Sequence, residues 1–177
     1  MSVKLEKQFK IAVLGSAFNP PSLGHKSILD SLLHFDQILL VPSISHAWGK
    51  TMLDFDVRCH MVDLFIKDLN QDKVMLSRIE QALYKENHKV TTYELLSELQ
   101  SHQPGAEFTF IIGPDNFLNF TKFARYEEIL AKWPILVCPE KIPVRSTMIR
   151  KNLTQMASIS NLTTPSVETY LIANQPY

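Results

Sequence analysis

Two short runs of the 177-residue sequence combine the residue types that bind phosphate. The first is Gly15-Ser16-Ala17-Phe18-Asn19-Pro20-Pro21-Ser22-Leu23-Gly24-His25. Gly15 lets the chain turn with no side chain in the way. Pro20 and Pro21 stiffen the connection and defer a helix to Ser22, which is a good cap. Gly24 is expected to keep the first turn open to a ligand. His25 then falls in that first turn, where backbone N–H groups and the helix dipole attract anions and the imidazole can donate to phosphate oxygens. The second run is Val144-Arg145-Ser146-Thr147-Met148-Ile149-Arg150. Ser146 or Thr147 can cap a helix there, and Arg150, one turn on, can reach phosphate oxygens with its planar fork. Cations and helix starts suit charge stabilisation during phosphoryl or nucleotidyl transfer, and no Ser-His-Asp arrangement accompanies them.

The elements that must position these runs alternate in kind. Short apolar runs at 9–14, 37–41, 74–76, 108–112 and 135–138 read as strands, all but 74–76 ended by Gly or Pro. Apolar residues at helical spacing fill 22–34, 56–70, 91–100, 126–132, 147–157 and 165–173. The predicted order is β-α-β-α-β-α-β-α-β-α-α. Such alternation predicts an α/β fold: a Rossmann-like, doubly wound, mostly parallel sheet with helices on both faces, in one domain over 1–177. Ligands of these sheets lie beyond the carboxyl ends of the strands. That rule nominates the loops 15–25, 42–50 and 113–123.

Composition excludes several classes. Lys plus Arg and Asp plus Glu are each 18, so there is no cationic excess for duplex nucleic acid or an anionic membrane surface. No apolar run is long enough for an ordinary membrane-spanning helix. Cys59 and Cys138 lack the spacing of a zinc site and are too few for a disulfide framework. They are expected to be reduced core residues of a cytoplasmic protein.

The first run resembles the G-x-x-F-x-P-x-H-x-G-H signature of the nucleotidyltransferase superfamily. Gly15, Phe18, Pro20, Gly24 and His25 match, and Ser22 stands at the first histidine. The second resembles that superfamily's I-S-S-T-x-I-R motif and differs at Arg145. Ile111-Ile112-Gly113-Pro114-Asp115-Asn116 is similar to the I-I-G-x-D-S/N segment of nicotinate and nicotinamide mononucleotide adenylyltransferases. Arg58 with Met61 resembles their R-x-x-M helix start, and the likeness extends over about residues 9–171.

The resemblance implies an adenylyltransferase that joins ATP to nicotinate (or nicotinamide) mononucleotide in NAD biosynthesis. It implies Mg²⁺ carried by the substrate, no protein metal ligand, and no nucleic-acid or membrane partner. By matching position, His25, Arg150 and Ser22 are the expected catalytic residues. Gly15, Ser16, Phe18, Gly24, His25, Gly113, Asp115, Ser146, Thr147 and Arg150 are the expected ATP contacts. Asn19, Trp48, Lys50, Thr91 and Phe123 are the expected mononucleotide contacts, with Trp48 or Phe123 available to stack a pyridine ring. Two alternatives stand beside this reading. One is another adenylyl or cytidylyl transferase, such as a phosphopantetheine adenylyltransferase. The other is a non-catalytic nucleotide-binding protein, which Ser22 favours.

Overall fold

The computed structural model describes residues 8–45 and 51–177. Five strands form one sheet in the order β3-β2-β1-β4-β5, and every pairing within it is parallel. The strands are β1 (Lys10–Ser16), β2 (Gln37–Pro42), β3 (Val74–Leu76), β4 (Glu107–Ile112) and β5 (Ile135–Val137). Their side chains alternate between the two faces. From β1, Ala12 and Leu14 enter one apolar cluster with Ile38, Leu40, Met61, Phe65, Ile149 and Leu171. Ile11 and Val13 enter the other with Leu39, Val41, Leu96, Leu99, Phe108 and Phe110. Burying both faces is what makes these strands near-continuous apolar runs.

The helices are α1 (Leu23–Leu29), α2 (Phe55–Leu69), α3 (Ile79–Leu83), α4 (Thr92–His102), α5 (Pro114–Leu118), α6 (Tyr126–Lys132), α7 (Ser146–Thr154) and α8 (Pro165–Asn174). A one-turn 3₁₀ helix occupies Phe120–Lys122. The expected doubly wound α/β architecture is therefore present.

Several boundaries differ from the sequence reading. The helix expected over 22–34 is α-helical only to Leu29. Beyond it the backbone closes three-residue turns, Leu32 to Leu29 and Phe35 to Leu32, which bury Leu32 and Phe35 and leave Leu33 half exposed. The segment 113–123 holds α5 instead of an open loop, with Pro114 in its first turn and Asp115 beside it, both favourable there. The helix expected over 147–157 begins one residue earlier and ends at Thr154, with Met156 at a left-handed φ of 51° beyond it. α3 was not expected at all.

After β3 the chain returns past β1 to add β4 on its other side, so the strand order reverses between β1 and β4 while all strands stay parallel. The crevice at that point, beyond the carboxyl ends of both strands, is where such folds bind ligands. Both loops that flank it carry residues singled out above.

Candidate active site

The first loop is held from several sides. The Asn19–Pro20 peptide is cis. Arg58, buried in α2, donates from NH1 to the Ala17 carbonyl at 2.8 Å and from Nε to the Leu53 carbonyl at 2.8 Å. Ser146 Oγ donates to the Pro20 carbonyl at 2.6 Å, and Arg150 NH1 donates to the Asn19 carbonyl at 2.6 Å. Thr163 Oγ1 donates to the Pro21 carbonyl at 2.8 Å. Tyr177 donates to Asn19 Oδ1 at 2.9 Å, and burial pushes its phenol pKa up. The start of α7 and the end of β1 are thus pinned together, although they lie far apart in sequence.

His25 is fixed at its inner nitrogen. The Ser22 N–H donates to Nδ1 at 3.1 Å, so the neutral ring carries its proton on Nε2. Ser22 Oγ accepts from the His25 N–H at 3.4 Å and donates to the Val144 carbonyl at 3.0 Å. This reciprocal capping box uses an imidazole where a carboxylate or amide is usual. Phe18, at a left-handed φ of 45°, places a fully buried ring 4.8 Å from the imidazole, centroid to centroid. Burial pushes the His25 pKa down to about 4, so the ring is neutral at pH 7. Nε2 faces Ser16 Oγ at 3.0 Å, and both residues line a cavity of about 580 Å³.

That cavity fills the crevice between β1 and β4. Gly15, Ser16, Ser22 and His25 line it from one side, and Gly113, Pro114, Asp115 and Asn116 from another. Glu140, Arg145, Ser146 and Thr147 complete it. A second cavity of about 160 Å³ is lined by Ala17, Asn19, Thr51, Met52, Ser146, Thr147 and Arg150. The two meet at Ser146 and Thr147. No side chain caps α7, whose N-cap is Arg145, so Ser146 and Thr147 are first-turn residues rather than caps. The uncapped N–H groups and the dipole of this helix face the shared wall, where an anion is stabilised.

Comparisons with known proteins identify the family. Residues 13–160 match the family model described as cytidylyltransferase-like. A Flavobacterium psychrophilum protein named as a probable nicotinate-nucleotide adenylyltransferase is 31% identical, covering 92% of this chain and 95% of its own length. A crystal structure from Vibrio parahaemolyticus, named as that of a putative nicotinate-nucleotide adenylyltransferase, is 52% identical with a TM-score of 0.83. It covers 92% of this chain and 98% of that one. The chain belongs to the nicotinate-nucleotide adenylyltransferase family. It is a nucleotidyltransferase. The Plasmodium falciparum nicotinic acid mononucleotide adenylyltransferase complexed with NaAD shares the fold, with a TM-score of 0.71 at 21% identity, covering 93% of this chain and 95% of that one.

Set against the residues expected of this adenylyltransferase, the structure brings most of them together. Gly15, Ser16, Ser22, His25, Gly113, Asp115, Ser146 and Thr147 line the larger cavity, and Asn19 and Arg150 the smaller. Others do different work. A Cβ on Gly24 would meet the Val144 carbonyl oxygen at 2.2 Å, so this glycine lets α1 dock on the entry to α7 and is not a ligand-facing gap. Phe18 acts from beneath His25. Thr91 caps α4, accepting at Oγ1 from the Glu94 N–H at 3.3 Å. Phe123 packs on Phe120 and Phe110, at centroid distances of 5.1 and 6.3 Å. Neither Thr91 nor Phe123 lines either described cavity. Trp48 and Lys50 lie outside the described residues.

Arg145, Glu140 and Asn116 line the larger cavity and were not among the expected contacts. Arg145 NH2 lies 3.0 Å from Asp115 Oδ2, and its Nε lies 3.5 Å from Glu140 Oε2. The signal was present as a charged residue at a serine position of the second motif. Among the described residues no three His, Cys, Asp or Glu side chains are grouped to hold a metal ion. The carboxylates on this cavity, Asp115 and Glu140, both pair with Arg145. The donor set therefore suits a divalent ion that arrives on phosphate oxygens. Among the described residues no helix is long and apolar enough to cross a membrane.

Proposed function

We propose that the enzyme transfers the adenylyl group of ATP to nicotinate mononucleotide, with ATP in the larger cavity and its phosphates at the start of α7. The observation that carries this reading is the pair Ser146 and Thr147, shared by both cavities at an uncapped helix start. A second phosphate-bearing molecule can approach from the side of Asn19. The relatives' names supply the identity of that molecule.

In the proposed reaction a 5′-phosphate oxygen of the mononucleotide forms a bond to the α-phosphorus. The bond from that phosphorus to its bridging oxygen breaks, and the electron pair leaves with pyrophosphate. The nucleophile is already an anion, so the site needs no strong base. Alignment and charge stabilisation must supply the rate. His25, neutral and fixed through Nδ1, offers Nε2–H to a phosphate oxygen in place of Ser16. The start of α7 holds the phosphates, and Arg150, which lines the smaller cavity beside Asn19, pairs with the incoming 5′-phosphate. Asp115 accepts from ribose hydroxyls, and Gly113 permits close approach of the nucleoside. Ser22 positions His25 through the capping box. A divalent ion carried in on the triphosphate would offset part of its charge, with the start of α7 holding the phosphates.

The test is pyrophosphate release from ATP with nicotinate mononucleotide, nicotinamide mononucleotide and phosphopantetheine in parallel. Release with nicotinate mononucleotide above the other two is the expected result. Release with phosphopantetheine alone would replace the proposed acceptor. No release with any of them, while ATP still binds, would leave a nucleotide-binding protein without this activity.

A further inference from the structure

The larger cavity presents an electrostatic imbalance. Among its described lining residues the acidic side chains are Asp115 and Glu140, and Arg145 is the one Lys or Arg. His25 adds no charge at pH 7. Two carboxylates facing a triphosphate raise its electrostatic cost beside the α7 start, and directing the single cation at the phosphates lowers that cost. Arg145 is placed to make such a change. It is the N-cap residue of α7, adjacent to Ser146 and Thr147, so its side chain springs from the point where the phosphates are proposed to sit. Its partners hold it loosely. The side chains of Arg145 and Asp115 are 61% and 73% exposed, and exposed ion pairs of this kind contribute little. The guanidinium fork also suits phosphate oxygens better than a single carboxylate contact at 3.0 Å and a longer one at 3.5 Å.

We propose that Arg145 is a polyphosphate clamp: on ATP binding its guanidinium leaves Asp115 and Glu140 for the β- and γ-phosphate oxygens. The exchange is coupled at both ends. Leaving Asp115 frees its carboxylate to accept from the ribose hydroxyls, which replaces the lost ion pair with hydrogen bonds. Arriving at the phosphates adds a cation to the N–H groups of α7. A family position ordinarily filled by a small hydroxyl thereby becomes, in this chain, a residue that discriminates nucleotides by phosphate number. The inference rests on the proposed placement of ATP in this cavity.

The experiment measures binding of MgATP and of adenosine to the full chain by calorimetry, for wild type, Arg145→Ser and Arg145→Lys. For Arg145→Ser, MgATP affinity is expected to fall roughly tenfold or more, as for loss of a charge-assisted contact, while adenosine affinity stays within about twofold. Arg145→Lys should recover part of the loss, since it restores charge without the fork. The wild-type affinity for MgATP should also decline more steeply with added salt than that of Arg145→Ser. Unchanged MgATP affinity overturns the clamp. So does an equal loss for MgATP and adenosine, which would mean that Arg145 merely orients Asp115. Pyrophosphate release by the unaltered protein is followed alongside. If it persists while Arg145→Ser binds MgATP normally, the clamp alone fails. If the unaltered protein binds no MgATP, the clamp fails together with the proposed placement of ATP.

Discussion

The starts of α1 and α7 meet at the same crevice and do opposite things with their unpaired backbone N–H groups. α1 pairs them within the protein: Ser22 and His25 satisfy one another in a capping box, and the Leu23 N–H donates to the Leu162 carbonyl at 2.9 Å. α7 has no side-chain cap, and its first hydroxyl, on Ser146, is turned away to donate to Pro20. The sequence suggests that both openings are anion sites. The structure separates them. α1 converts its terminus into a rigid mount for one neutral imidazole, and α7 keeps its terminus open for charge. Preorganised catalysis needs both, because a donor is useful only if it is aimed before the reaction begins and needs no reorganisation during it.

The largest expected effect tests the α1 half. His25→Ala removes the aimed donor and should lower turnover by about 10²-fold or more in the pyrophosphate assay. An unchanged rate would remove the imidazole from the chemistry and leave α7 to act alone. The next test attacks the contact between the two starts. Gly24→Ala would push a methyl group to 2.2 Å from the Val144 carbonyl oxygen, so one helix must shift. A stability loss of about 2 kcal/mol is expected in denaturant titration, with the range for overpacking running roughly from 1 to 3. A neutral result would show that the two helix starts are not rigidly docked.

A smaller effect isolates α7. Thr147→Asp puts a carboxylate in its first turn. The dipole favours that charge by up to about 1 kcal/mol, so thermal stability should hold or rise. The same charge competes with phosphate, and MgATP affinity should fall roughly tenfold. Concerted loss of stability and affinity would mean that the substitution damages the helix and says nothing of an anion site.

The contrast between the two starts also marks what the sequence could disclose. The strands were legible because two-sided burial makes them unbroken apolar runs, and their alternation with helices prescribes the parallel order. The loops at 15–25 and 144–150 were legible because glycine, proline and hydroxyl residues have local meanings. Less visible was how those groups pair across the fold. The partner of Gly24 is a carbonyl at Val144, and the cap of α1 includes its own histidine. No periodicity announces either contact. α3 and α5 have five residues each, too short to display a 3.6-residue pattern. Phe123 reads as an aromatic free to stack, yet Phe110 and Phe120 engage its ring. Arg145 looked like a departure from a motif, and only the structure places it on the wall of the larger cavity.

The finest test concerns the charge state on which the α1 half depends, and a second buried group makes its sign measurable. His25 is held down to about 4 from an ordinary 6.5 by burial. Between those values the unfolded chain binds more protons than the native one, so this group's contribution to stability falls as pH drops from 6.5 towards 4. Glu80, beneath the end of β2, goes the other way. Burial raises its pKa from 4.5 to about 7, although the Ile44 N–H donates to it at 2.8 Å. Between those values the native chain binds more protons, so its contribution falls as pH rises from 4.5 towards 7. The two slopes oppose and overlap, so wild type alone is uninformative. Pairwise differences separate them. The stability advantage of wild type over His25→Gln should grow from about pH 5 to about pH 7, and its advantage over Glu80→Gln should shrink over the same interval. Denaturant midpoints at the two pH values measure both differences. If the His25→Gln difference stays constant with pH, the imidazole titrates normally in the folded protein. A partly cationic ring would then attract phosphate near neutral pH, and the division of labour between a neutral donor on α1 and a charge-binding start on α7 would no longer hold.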